Sequence, residues 1–255
     1  MKTGQAHHIL DAPGKTGIVI SAEHSGVEIP PELGDLGISQ KELHRHIGYD
    51  IGIEGVVHHL HRLSGHPAIL GRYSRLVADV NRPEDSPECV IERSDGTQIP
   101  ANTGLNGHSR QKRINRYHRP YHTAFAELVR RAKPGCILSV HSFTRKLRTE
   151  GIRRPWHCGI LYGVPAATAK CCIGHLRKLE GIVVGDNQPY QFDADRLIPP
   201  KRVDGRPIPT LVVEIRQDLI ENGEGQEKWA AILGGLLEAC MADCSGHRTN
   251  AGSGE

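Results

Sequence analysis

Two periods divide the hydrophobic and polar positions of this chain. Short Val/Ile/Leu runs bounded by Gly or Pro, at 16–22, 136–140 and 210–213, read as strands buried on both faces, the pattern of a parallel sheet. Extended signals at 67–71, 74–80, 158–162 and 182–185 add further strands. Between them the spacing becomes helical: 40–63, with Ser39 as N-cap and Ser64-Gly65 as stop; 110–133, where Pro120 either kinks the helix or opens a second one; 166–180; and 226–241. This alternation predicts a single-domain α/β fold, a mixed and mostly parallel sheet with helices on both faces. The polar stretches 81–109 and 187–209 are too long for simple turns and mark loops with a task of their own. The domain is expected to end at 244, with 245–255 as a disordered tail.

Composition narrows the class. At 255 residues, 38% hydrophobic and 24% charged, the chain can bury a sizeable core. No run approaches the roughly 18 apolar residues of a membrane span, and 1–9 lacks the apolar centre of a secretory signal. The expectation is a cytoplasmic protein without a membrane partner. Seven cysteines without a CxxC pair suit a reducing compartment. A net charge of +3 gives no general argument for nucleic acid, and 4% aromatics argue against a base-stacking surface.

The candidate chemistry sits where the strands stop. The three apolar runs lead into His24, His141 and Glu214, and in open α/β sheets ligands bind outside the carboxyl ends of the strands. Two imidazoles and a carboxylate are the makings of a catalytic metal site, which takes about three protein ligands and keeps one position open. Glu28, four residues after His24, or Asp50 could be the third ligand, and spacing does not choose between them. Glu214 interrupts Leu-Val-Val-Glu-Ile; a buried carboxyl needs a partner, such as Arg216, or a raised pKa suited to a general base. Arg75 and Arg82 flank the extended 76–80 and could hold a carboxylate or an oxyanion.

Other chemistries find less support. Ser25, Ser139 and Ser142 lack a GxSxG elbow. His118 and His122 stand four apart, but Pro120 disturbs the helical face, so they read as helix packing with one histidine behind the site. The basic runs 110–119 and 145–154, near Tyr117, Tyr121 and Trp156, make an RNA-binding module without catalysis the non-enzymatic alternative.

Taken in order, Glu23-His24-Ser25-Gly26 with Ile29-Pro30, His46 to Asp50, Tyr73-Ser74-Arg75, 79–83, 117–122, His141-Ser142, 187–190 and Val213-Glu214-Ile215 resemble the N-formylglutamate amidohydrolase family, whose fold is similar to that of the zinc carboxypeptidases. The resemblance implies one divalent ion, Zn2+, held by His24, Asp50 and His141, with Asp50 favoured over Glu28. It implies Glu214 as general base, Arg75 steadying the oxyanion, and Asn81 and Arg82 holding the substrate α-carboxylate. The implied reaction is hydrolysis of a small-molecule N-acyl amino acid, foremost N-formylglutamate, or of another N-acyl amino acid or small peptide. Three departures bear on the substrate: Glu23 stands where Pro commonly precedes His, no glycine pair leads into Glu214, and the loop 145–154 is basic. A second substrate carboxylate could meet Arg145, Arg148, Arg153, Arg154 or Arg216.

Overall fold

The computed structural model describes residues 5–14, 17–163, 166–192, 199–200 and 202–246. Seven strands form one sheet: β1 (His7–Leu10), β2 (Ile18–Ala22), β3 (Ala68–Gly71), β4 (Cys136–Phe143), β5 (Cys158–Leu161), β6 (Val184–Asp186) and β7 (Thr210–Arg216), in the order β1-β3-β2-β4-β7-β5-β6. The four central strands are mutually parallel, while β1 runs antiparallel to β3 and β5 antiparallel to β7. The fold is thus a mixed, mostly parallel α/β sheet. From β2 the chain crosses to β3 on one side, whereas β4 lies on the other, so the space above the carboxyl ends of β2 and β4 is a topological switch point.

Strand alternation distributes the side chains. Ile18, Ile20, Leu138, Val140, Leu211, Val213 and Ile215 face a core shared with α2 (Ile53–Ser64), α5 (Ala167–Leu176) and α6 (Gly223–Gly246). Val19 and Ile137 face the opposite way, against Tyr121, Phe125, Leu128 and Val129 of α4 (Arg119–Ala132). Helices therefore cover both faces. On the α4 face, Ile137, Ser139 and His141 succeed one another along β4, so His141 projects on the face of the α4 core.

Several local expectations change. The helix expected over 40–63 is broken into α1 (Gln40–Leu43) and α2, with the intervening turns carrying Asp50. Gly48 and Gly52 explain the break: a Cβ at Gly48 would lie 1.9 Å from the Leu43 carbonyl oxygen, and Gly52 has φ +82°. Residues 74–80, read as extended, form a turn rather than a strand. The helix expected over 110–133 becomes α3 (Gly107–Arg113), a π-turn at Ile114–His118 and α4, a continuous helical run in which Pro120 directly follows the π-turn. β1 went unread: it is short, polar at His7-His8 and defined only by pairing with β3. Ser245 and Gly246 belong to α6, and the rest of the expected tail lies outside the described residues. Among the described residues no helix is long and apolar enough to cross a membrane.

Candidate active site

His24 follows β2 in a tight turn closed by Ser25, whose hydroxyl donates to the carbonyls of Ala22 and Gly71. Gly26 is required there, because a Cβ would lie 2.0 Å from the Arg72 carbonyl oxygen. Asp50 is brought beside His24 by the broken helix: its N–H donates to the His24 carbonyl at 2.8 Å. His141 and Glu214 lie inside β4 and β7 rather than beyond them, as register partners on adjacent parallel strands. All four are buried.

The geometry converges on Asp50. Its Oδ2 lies 2.7 Å from His141 Nδ1 and 3.6 Å from His24 Nδ1, and it also accepts from the Ser142 N–H at 3.2 Å. One ligand atom each from His24, Asp50 and His141 lies within 4.8 Å of the others. The opposite ring nitrogens are held by two carboxylates that sequence reasoning gave no role: Asp79 at 2.6 Å from His24 Nε2, and Glu23 at 3.2 Å from His141 Nε2. Glu28, the alternative ligand, is half exposed and paired with Arg72 at 2.9 Å, away from this cluster.

Charge in the cluster is unbalanced. Four acids, Glu23, Asp50, Asp79 and Glu214, lie in or beside the cluster; Arg75 reaches Asp50 at 3.3 Å and Asp79 at 3.5 Å and touches His24 Nδ1, while Glu23 has His141 as its partner. Burial alone would raise the Asp50 carboxyl, yet Arg75 and His24 hold it well below its ordinary range. His141, although buried, is driven well above its ordinary value by Asp50 and Glu23. The pocket thus draws in positive charge, and its donor set of two imidazoles and a carboxylate is one that a divalent ion such as zinc accepts. The residues fit the metal that the family resemblance implies.

Glu214 behaves differently. Burial pushes its carboxyl up to about 7, and Oε2 has no hydrogen-bond partner. The salt bridge to Arg216 weighed from sequence does not form: Arg216 bonds Asp218 at 2.6 Å and the Trp156 carbonyl. Glu214, Asp50, His141, Arg75, Asn81 and Arg82 line one cleft of about 750 Å³, closed on another side by Tyr190. Arg75 and Arg82 both face it, although the segment between them is not a strand. The Asn81 N–H donates to Asp79 at 2.8 Å, and Arg82 lies 2.9 Å from Glu88 at the rim.

The remaining candidates fall elsewhere. Ser25 and Ser142 spend their hydroxyls on backbone carbonyls and Ser139 donates to Glu23, so none faces an imidazole base. The His118 and His122 rings stack at 4.4 Å behind the cleft, with His118 Nε2 bonded to the Arg82 carbonyl at 2.9 Å. In the basic run 110–119, Arg113 is buried on Asn102, Arg116 pairs with Glu32 and Arg119 with Glu84. Arg145, Arg148 and Arg153 are exposed, but Arg154 is buried, stacked on the Tyr190 ring at 5.0 Å and donating to its hydroxyl at 3.0 Å.

A model of the N-formylglutamate amidohydrolase family matches residues 16–221, which takes in every residue of this cleft. The chain belongs to that family. It is therefore a hydrolase of C–N amide bonds, acting on a small-molecule substrate. The structure of a gene product from Agrobacterium tumefaciens is similar at TM-score 0.84 and 27% identity, over 95% of this chain and 97% of that one. An N-formylglutamate amidohydrolase from Ralstonia eutropha shares the fold at TM-score 0.75 and 22% identity, over 95% and 99%. No curated protein sequence gives a significant match.

Proposed function

We propose that this amidohydrolase removes the acyl group, foremost formyl, from an N-acyl amino acid such as N-formylglutamate, using one divalent metal ion. The observation that carries the reading is the convergence of His24, Asp50 and His141 on one end of a cleft in which Glu214 Oε2 stands buried and unpartnered.

In this reading His24, Asp50 and His141 hold the ion, and the Arg75 guanidinium gives up its contact with His24 Nδ1 in its favour. The ion supplies Lewis acidity toward the amide carbonyl and eases ionisation of the attacking water. Glu214 takes the proton of that water and passes it to the amide nitrogen as the C–N bond breaks, a role suited to a carboxyl whose pKa lies near neutrality. Arg75, bracketed by Asp50 and Asp79, remains beside the carbonyl oxygen and steadies its developing charge. Asn81 and Arg82 hold the α-carboxylate, with Arg82 exchanging Glu88 for the substrate. An acidic side chain on the amino acid is assigned to Arg154, the buried arginine of the basic loop, which sits behind the cleft-lining Tyr190 and would have to exchange that contact for the substrate.

The test is formate release from N-formyl-L-glutamate by purified protein, with and without a chelator, alongside a metal assay. Turnover lost on chelation and restored by zinc supports the reading. Bound metal with no turnover on any N-acyl amino acid overturns it.

A further inference from the structure

Glu23 is a buried acid beside the candidate ligands that the proposed reaction does not use, and its surroundings say what it does. It follows β2 directly, on the same face as Val19, and is 2% exposed. Its Oε2 accepts from Ser139 Oγ at 3.0 Å and lies 3.2 Å from His141 Nε2, while Oε1 makes no hydrogen bond. Among the described residues Glu23 pairs with no Lys or Arg; His141 is its ion-pair partner. A half-satisfied buried carboxylate is costly and is retained where it does something. The His141 ring is thereby bracketed, Nε2 against Glu23 and Nδ1 against Asp50 at 2.7 Å, as the His24 ring is bracketed by Asp79 and Asp50.

We propose that Glu23 is a positioning residue: its carboxylate grips His141 Nε2–H, fixes the ring so that Nδ1 is the nitrogen offered to the ion, and strengthens that nitrogen as a donor. The inference rests on the metal reading above. A carboxylate behind a ligating imidazole sets its tautomer and orientation and raises its basicity, and loss of such a partner typically weakens metal binding about 10–100-fold.

The experiment measures zinc affinity of the full-length, metal-stripped protein by competition with a chromophoric chelator, for the wild type and Glu23→Gln. The amide keeps the shape and an acceptor oxygen but not the charge. Zinc binding weakened about 10–100-fold, with the circular dichroism of the metal-free protein unchanged, supports the proposal. Wild-type affinity in Glu23→Gln overturns it while leaving the metal reading intact; a wild type that binds no zinc overturns both. Should the variant not fold, the zinc-loaded wild type labelled with 15N-histidine decides: His141 must carry its proton on Nε2, and a spectrum with Nε2 as the metal ligand removes the role assigned to Glu23.

Discussion

Glu214 and His141 face each other across one rung of the sheet, paired in register on adjacent parallel strands. The distance between the proposed base and the candidate metal ligand is thus set by the hydrogen-bond ladder of the core and not by a loop. Such a pair stays in place when side chains around it change, which makes the consequences of altering either residue separable.

Glu214→Gln should leave the metal site intact and abolish proton transfer. The expected result is a fall of about 10²–10⁴ in kcat, with KM and bound zinc per chain near the wild-type values. A variant retaining full turnover would remove Glu214 from the mechanism.

His24→Ala and His141→Ala should each lose bound metal and activity together, while the folded metal-free chain persists. Elemental analysis after dialysis reads the outcome. In the wild type, adding a chelator should lower the thermal midpoint and zinc should restore it, because a ligand that binds only the folded state stabilises that state. A midpoint indifferent to both additions would argue against the site.

The pH dependence has a definite sign. Burial raises the carboxyl of Glu214 to about 7, and the proposed base acts in its ionised form, so turnover is expected to fall toward acid pH. A cation at the neighbouring ligands favours the carboxylate, so the acidic limb of kcat/KM in the loaded enzyme is expected below pH 7. In the metal-free protein the same group, raised above its ordinary 4.5 on folding, contributes stability that is complete below 4.5 and is lost as pH rises through about 7. Metal-free wild type should therefore lose more stability across that interval than metal-free Glu214→Gln, as read from denaturant midpoints.

Arg82→Ala should raise KM for the α-carboxylate substrate by one to two orders of magnitude, roughly the worth of a charge-assisted hydrogen bond, with a smaller effect on kcat. Equal losses in kcat and kcat/KM would instead place Arg82 at the reacting bond.

The strands that carry the site were legible because apolar runs ending on His24, on His141 and across Glu214 are conspicuous in one dimension. Asp50 was not fixed by spacing, since the break that delivers it depends on Gly48 against the Leu43 carbonyl and Gly52 against the Ile220 carbonyl, the latter a contact between distant segments. Glu23 and Asp79, present in the motifs, carried no role for the same reason: each acquires its partner only when β2, β4 and the turn at 74–80 come together. The one available signal for Glu23 was an acid set directly after a fully apolar strand. The antiparallel direction of β5 was equally hidden, because an apolar run looks the same read either way.

The cluster draws on the end of β2, the turn after α1, the segment before the long loop, β4 and β7, so its members are spread from Glu23 to Glu214 and the three candidate ligands, His24, Asp50 and His141, come from three separate segments. Under the proposed metal reading, ion capture is therefore linked to the folding of the whole chain, although the chain folds without the ion. A cavity opened at Trp229 or Phe125, neither of which lines the cleft, would weaken the apparent hold on the ion once the folded state ceases to dominate, and excess ion would rescue such a variant as a folding chaperone does.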